Sequence, residues 1–290
     1  MRSEQEMYDL IIGIAKKEEK ILAVYMNGSR TNANAPKDIF QDYDIGYVVT
    51  ETNHFIQNKE WILLFGEILY MQYPDENPDY PHDKENVYGW LMQFTDGNRV
   101  DLHVETLEHA KEHIKDDQLC SILLDKQNSL PDIVEATDKD YWVKKPTEEQ
   151  YFAVCNEFWW CSNNLAKGMW RKEMPYVQDM ANFHVRKQLE KMLTWKAGIL
   201  TDFTVSAGKS AKYLYRWIEK EEWEIYLSTY FGCETEAAWD AIERMCDLFT
   251  KVALWVGTRL GYPYNALEAD HARFFLEHVR QLPEDATEIL

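Results

Sequence analysis

Short apolar runs separated by polar turns fill the first half of the chain. Apolar residues recur at helical spacing between Met7 and Ile14, which predicts an amphipathic helix near the start. Runs of strand composition follow at 21–26, 42–49, 67–73, 87–94 and 99–105, with a helix predicted over 54–65. The last two strands flank an Asp96-Gly97 turn, which is a strong signal for a β-hairpin. The pattern predicts a sheet with flanking helices.

Strand patterns vanish from about Thr147 onward, where long amphipathic segments are separated by Gly, Pro or polar breaks. The predicted helices cover 147–172, 175–199, 206–229, 235–259 and 267–281. Long helices with short connections are typical of a helical bundle. The fold prediction is therefore α+β or α/β. A mixed-sheet domain covers residues 1–145 and a C-terminal helical bundle covers 146–290, with the boundary near Lys144-Lys145-Pro146.

Charge and composition restrict the partners. The chain has 50 acidic and 31 basic residues, for a net charge of −19. Nucleic-acid binding normally needs a basic face, so this charge argues against it, whereas a cationic small molecule would be attracted. No apolar run approaches the roughly 18 residues of a membrane helix, and the N-terminus lacks the pattern of a signal peptide. The five cysteines show no C-x-x-C spacing. We expect a cytoplasmic protein without a membrane partner.

Three acidic residues are placed where a sheet would bring them together. Asp42 and Asp44 open the second predicted strand, and residues two apart in a strand point to the same face. Asp101 lies in the middle of the hairpin strand between two apolar residues, so it must face solvent or have a partner. If the Asp101 strand neighbours the Asp44 strand, all three carboxylates meet on one face.

Clustered carboxylates and the preceding Gly-Ser turn suit phosphate chemistry with a metal ion. Like charges in close proximity disfavour ionisation, and Mg²⁺ prefers a few carboxylates together with substrate phosphates. Two such ions about 3.5–4 Å apart can clamp an in-line displacement at phosphorus. Gly28 allows a phosphate to approach the backbone, Ser29 offers hydroxyl and amide donors, and Arg30 can grip phosphates bidentately. The constellation predicts nucleotidyl transfer from a nucleoside triphosphate.

The block GSRTNANAPKDIFQDYDI at 28–45 resembles the nucleotidyltransferase signature, in particular that of the aminoglycoside 6-adenylyltransferases that modify streptomycin. Further similar stretches are MRSEQEMYDL at the start, LLDK (123–126), NEFWW (156–160), AKGMWRKE (166–173) and GKSAKYL (208–214). The resemblance covers most of the chain. It implies a nucleotidyltransferase-type, MgATP-binding domain over 1–145 and a helical substrate-binding domain over 146–290. ATP would be the co-substrate and an aminoglycoside the acceptor.

The resemblance also implies residue roles. Asp42 and Asp44 would be magnesium ligands, and Asp101 the third ligand or the base that deprotonates the acceptor hydroxyl. Asp179 matches a family acid expected near the cationic antibiotic. The residues expected to bind the nucleotide are Gly28, Ser29, Arg30, Lys167, Lys209 and Lys212.

Three positions depart from the family pattern. Asn27 stands where members often have Glu, His103 follows two residues after Asp101, and Met180 stands in place of a family His. Alternation puts Asp101, His103 and Glu105 on one sheet face, so His103 and Glu105 are candidates for substrate binding or proton transfer. These departures leave nucleotidyl transfer intact and keep open a different acceptor, either another antibiotic or a protein hydroxyl. A second alternative is a non-catalytic nucleotide sensor or antitoxin-like partner, against which the retained carboxylates and Gly-Ser turn argue.

Overall fold

The protein divides into two compact units between Asp140 and Tyr141, slightly before the boundary expected from the sequence. The computed structural model describes residues 1–289, and Leu290, the last residue of the predicted second domain, lies outside the described residues. Within residues 1–289, no helix combines the length and apolar character needed to cross a membrane.

The first unit is a six-stranded mixed sheet with flanking helices, as predicted. Its strands are β1 (Ile21–Asn27), β2 (Tyr43–Val49), β3 (Ile68–Gln72), β4 (Val87–Phe94), β5 (Arg99–Thr106) and β6 (Cys120–Asp125). Its α-helices are α1 (Glu4–Lys17), α2 (Asn53–Gln57) and α3 (Leu107–His113). The strand order is β3-β4-β5-β2-β1-β6. β2 and β5 pair in parallel, whereas the other neighbours pair antiparallel.

The two faces of this sheet are covered unequally. α1 starts at a capping box in which Ser3 and Glu6 satisfy each other's backbone N–H groups, and it buries Met7 and Ile11 on one face. The large apolar core on that face also includes Tyr47 and Trp90. The opposite face carries a smaller apolar cluster that includes residues of α3. That smaller cluster leaves part of the second face to polar side chains.

The second unit is helical. Its helices are α4 (Glu148–Trp170), α5 (Met174–Asp179), a π-helical segment (Met180–Val185), α6 (Arg186–Leu200), α7 (Lys220–Ser228), α8 (Thr235–Leu260) and α9 (Ala266–Gln281). A Thr147–Gln150 capping box starts α4. α4 packs against α9 and α6 against α8, and the rings of Phe158 and Phe249 stack with centroids 3.7 Å apart. The predicted C-terminal helical region is confirmed.

A buried ion cluster ties α6 to α7 inside the second unit. Lys196 is 3% exposed and donates to the Glu222 carboxylate at 2.6 and 2.8 Å and to Glu219 at 2.7 Å. Its ammonium also lies 4.9 Å from the ring centroid of Trp255. Lys251 approaches Glu222 from the solvent side at 3.3 Å. The buried Glu222 carboxylate therefore depends on Lys196 for its charge compensation.

Three element predictions are corrected. The helix expected over 54–65 is interrupted at Asn58, whose φ of −93° and ψ of 77° are not helical, so α2 is followed by a separate 3₁₀ turn at Trp61–Phe65. The helix expected over 206–229 is helical only in α7 and two 3₁₀ turns, because Gly208, Ser210 and Ala211 adopt positive φ angles. Strand β6, which pairs with β1, was not predicted.

Candidate active site

The turn after β1 brings the backbone against the acidic strand. Gly28 has a φ of +77°, and a Cβ atom there would lie 2.0 Å from Oδ2 of Asp44. Such a contact is far inside van der Waals distance, so a residue with a Cβ atom would have to displace the Asp44 carboxylate. A short 3₁₀ turn at Gly28–Arg30 follows, and Thr31 Oγ1 donates to the Gly28 carbonyl at 2.9 Å. The turn therefore holds Gly28 beside the Asp44 carboxylate.

The strand pairing brings the three acidic residues together. Asp44 of β2 lies directly opposite Asp101 of the parallel neighbour β5, and Asp42 immediately precedes β2. One carboxylate oxygen from each of the three lies within 4.8 Å of the others. The expected neighbouring of the Asp101 and Asp44 strands, with convergence of the three carboxylates, is confirmed. Their roles as ligands or base stay predictions.

The cluster is electrostatically unfavourable without a compensating cation. Burial, followed by the charges of Asp42 and Asp101, raises the pKa of Asp44 to about 7. The nearby Arg99 guanidinium opposes this shift only in part. Additional positive charge at this point would favour the ionised form of Asp44.

The donor set fits a hard divalent cation such as Mg²⁺. All three groups are carboxylates, the ligand type that Mg²⁺ selects. Asn27 pairs with Asp44 across β1 and β2, so the two side chains share a face. The buried Oδ1 of Asn27 has no hydrogen-bond partner among residues 1–289. Beside the carboxylates, this unsatisfied amide oxygen can bind a cation directly or accept a hydrogen bond from a metal-bound water.

Arg30 is held by the protein. Its Nε and one terminal nitrogen each donate at 2.8 Å, to the carbonyls of Asp42 and Gln41 respectively. The guanidinium lies 3.7 Å from the ring centroid of Tyr43, and the side chain is 9% exposed. Arg30 therefore braces the segment that presents Asp42. The phosphate-binding roles expected of Gly28, Ser29 and Arg30 stay predictions.

Arg99 is a site residue that the sequence reasoning missed. Its Nε and a terminal nitrogen bind the two oxygens of Asp101 at 2.7 and 2.6 Å. Nε also lies 3.9 Å from Oδ2 of Asp42. The signal was available, because a residue two positions before Asp101 in a strand must share its face.

His103 and Glu105 lie on the same face as Asp101, as expected from alternation. Nε2 of His103 lies 2.7 Å from the hydroxyl of Tyr25, which donates to Glu105. His109 Nδ1 binds the second oxygen of Glu105 at 2.6 Å. Because Tyr25 gives its proton to Glu105, it accepts from His103, which places the His103 proton on Nε2. Burial lowers the pKa of His103, so the neutral ring is favoured.

Glu105 is 2% exposed with both oxygens engaged, so it orients Tyr25 and His103 instead of facing a ligand in this structure. Tyr25 was not anticipated. Its ring occupies the space over Gly46, where a Cβ atom would lie 2.3 Å from a ring carbon. Whether His103 or Glu105 binds substrate stays a prediction.

The remaining candidates lie in the helical unit. Lys167 of α4 donates to Asn164 Oδ1 at 2.9 Å. Lys209 and Lys212 are exposed on the segment that breaks the predicted helix. Asp179 is exposed at the end of α5, where the π-helical segment begins. Their expected roles toward nucleotide and acceptor stay predictions.

Sequence comparisons identify the family. The sequence model of the streptomycin adenylyltransferase family matches residues 1–279. An aminoglycoside 6-adenylyltransferase of Campylobacter jejuni is 38% identical, with 91% of each chain covered. One of Bacillus subtilis strain 168 is 36% identical, covering 91% of this chain and 93% of that relative.

A solved structure of an aminoglycoside 6-adenyltransferase from Bacillus subtilis is 30% identical and covers 97% of this chain and all of its own, with a TM-score of 0.48. The assignment rests on the sequence matches, and the range matched by the family model contains the Gly28 turn and the three clustered acids. The chain therefore belongs to the streptomycin adenylyltransferase family and is an adenylyl-transferring enzyme.

Proposed function

We propose that the enzyme transfers AMP from MgATP to a hydroxyl of an aminoglycoside and releases pyrophosphate, with the 6-hydroxyl of streptomycin as the preferred acceptor. The observation that carries the proposal is the convergence of Asp42, Asp44 and Asp101 beside the Gly28 turn. The names of the relatives support the acceptor class, and the net charge of −19 suits a polycationic substrate.

Asp42, Asp44 and Asp101 are the residues that would hold magnesium, with Asn27 beside them. When bound, the metal supplies positive charge that offsets the charge developing on the phosphates. The backbone of the Gly28–Arg30 turn offers N–H donors to phosphate oxygens, and the absence of a side chain at Gly28 permits close approach. Arg30 keeps this turn and Asp42 in fixed geometry through its two carbonyl contacts.

Asp101 is the carboxylate proposed to take the proton of the acceptor. The hydroxyl oxygen forms a bond to the α-phosphorus, its proton moves to a carboxylate oxygen of Asp101, and the bond from the α-phosphorus to the bridging oxygen breaks. The electron pair of that bond leaves with pyrophosphate. His103, with its proton held on Nε2 by Tyr25, presents an unprotonated Nδ1 that can accept a hydrogen bond from the acceptor.

Pyrophosphate release tests the proposal directly. Purified protein with MgATP should release pyrophosphate only when an aminoglycoside is present, and streptomycin should gain the mass of one AMP unit. EDTA should abolish both signals. A panel of other aminoglycosides separates the preferred acceptor from alternatives, and modification of another antibiotic alone would replace streptomycin as the substrate.

Asp42→Asn and Asp101→Asn test the site. Loss of a positioned general base typically slows a reaction by a factor of about 10²–10⁴. The rate of adenylyl transfer by Asp101→Asn should therefore be lower than that of the parent by at least about 10²-fold. Asp9→Asn on the exposed surface of α1 is the matched control and should retain parental activity. Full activity in either site variant contradicts the assignment. A parent protein that binds ATP but modifies no acceptor would favour the nucleotide-sensor alternative.

A further inference from the structure

The two arginines at the carboxylate cluster are held very differently. Arg30 is 9% exposed and fixed by the carbonyls of Gln41 and Asp42 and by the ring of Tyr43. The Arg99 side chain is 46% exposed. Within residues 1–289 its hydrogen bonds go only to Asp101. Arg99 can therefore turn away without breaking a backbone contact, whereas Arg30 cannot.

The present position of Arg99 conflicts with both roles proposed for Asp101. Its planar guanidinium engages both oxygens of Asp101, and its Nε also faces Asp42. A divalent cation bound by Asp42 and Asp101 must approach the same two oxygens against the positive charge of the guanidinium, and a proton arriving from the acceptor hydroxyl meets the same repulsion. A metal ion at this cluster and Arg99 on Asp101 are therefore in competition.

A released Arg99 remains beside the site. It is the first residue of β5, and its side chain leaves the sheet on the same face as Asp101. A triphosphate brought to the carboxylates by its metal would place several anionic oxygens within reach of that side chain. Guanidinium binds phosphate oxygens bidentately and strongly, so the nucleotide offers Arg99 a replacement for Asp101.

We propose that Arg99 is the mobile phosphate-binding arginine of this enzyme: it pairs with Asp101 until a divalent cation displaces it, and then binds the phosphates of ATP. Arg30 braces the Asp42 segment, and its expected phosphate-binding role stays a prediction. The inference rests on the proposed function, because it requires metal and ATP at the Asp42–Asp44–Asp101 cluster.

Arg99→Met tests the exchange, because it keeps an unbranched flexible side chain and removes the charge. Binding of Mn²⁺ alone, measured by isothermal titration calorimetry, should become about two- to fivefold tighter, the scale of a lost exposed ion pair. Binding of the magnesium complex of α,β-methylene-ATP should become roughly ten- to a hundredfold weaker, the scale of lost charge-assisted hydrogen bonds. Arg99→Lys keeps the charge but not the planar, bidentate guanidinium group, and should give intermediate affinities for Mn²⁺ and for the nucleotide analogue.

Lys16→Met on the exposed surface of α1 is the control for loss of one positive charge and should change neither affinity. Urea unfolding of each variant establishes that it is folded. A purely structural role for Arg99 would weaken Mn²⁺ and nucleotide binding together, and that result, or no change in either, overturns the proposal. A parent protein that binds neither ligand and releases no pyrophosphate contradicts the proposed function instead, because it fails before any variant is compared.

Discussion

The Gly28→Ala variant, compared with a suitable control, distinguishes two effects of a side chain at this turn. One is the strain of a positive φ angle, and the other is the clash of the Cβ atom with Asp44. The substitution places a Cβ atom where the structure leaves only 2.0 Å to Oδ2 of Asp44. The nearest atoms belong to the Asp44 side chain, whose carboxylate can rotate away. To restore an ordinary carbon–oxygen contact, this oxygen must move by at least about 1 Å. The change should therefore act mainly on the geometry of the site.

Gly97→Ala is the matched control. Gly97 has a φ of +89°, close to the +77° of Gly28, but a Cβ atom there meets nothing within 4 Å. Left-handed backbone costs an L-residue about 1–2 kcal/mol, so both variants should lose that much unfolding free energy. Only Gly28→Ala should lose activity, because a misplacement of about 1 Å at a reacting site can cost on the order of 10²-fold in rate.

Two measurements on the same preparations decide the outcome. Urea unfolding gives the loss of stability, and pyrophosphate release with saturating MgATP and aminoglycoside gives kcat. The expected pattern is a similar stability loss in both variants and an activity loss in one. A Gly28→Ala enzyme that keeps the parental activity would refute the placement of Asp44 in the reacting site. An equal activity loss in both would show that backbone strain alone is responsible.

Three further predictions concern charge. Lys196→Met leaves the Glu222 carboxylate buried without its main partner and should lower the unfolding free energy by about 3–5 kcal/mol. Lys251→Met removes only the solvent-exposed second partner of Glu222 and should cost less than about 1 kcal/mol in the same urea titration. Asp44 keeps its proton in the folded state up to about pH 7, whereas the unfolded chain ionises near pH 4, so the native protein loses stability as pH rises between these values. In EDTA, Asp44→Asn should therefore have a higher free energy of unfolding than the parent at pH 8, and the difference should be smaller at pH 5. Equal differences at the two pH values would contradict the pKa shift. Arg30→Met removes two charge-assisted bonds to carbonyls and should cost about 2–3 kcal/mol, measured by urea unfolding, and unchanged stability would refute its bracing role.

The carboxylate cluster was predictable from sequence because it depends on strand periodicity. The alternation of β5 placed Asp101, His103 and Glu105 on one face, and parallel pairing then set Asp101 opposite Asp44. The same alternation also places Arg99 on this face, although neither the spacing of the acids nor the signature points to it. Periodicity identifies residues that share a face of the sheet, but it does not show which basic side chain on that face forms an ion pair with the acids.

The sequence pattern does not predict side-chain contacts between strands that are distant in the chain. Tyr25 looked like one apolar residue of β1, and its bonds to His103 and Glu105 exist only because β1 and β5 both neighbour β2. The prediction for 206–229 failed for a local reason. Its apolar spacing is helical, but Ser210 and Ala211 take positive φ angles that interrupt a right-handed helix.

The parallel pairing of β2 with β5 has a consequence for how the enzyme matures. β1 and β2 form one antiparallel pair and β4 and β5 another, and each joins strands that are consecutive in the chain. Asp44 lies in the first pair and Asp42 immediately precedes it, whereas Asp101 lies in the second, so the proposed metal site exists only after the two pairs have joined. By mass action, a cation bound across the junction favours the completed sheet. A chain in which the two pairs have not joined carries an incomplete carboxylate set, so it lacks the site proposed to bind the metal.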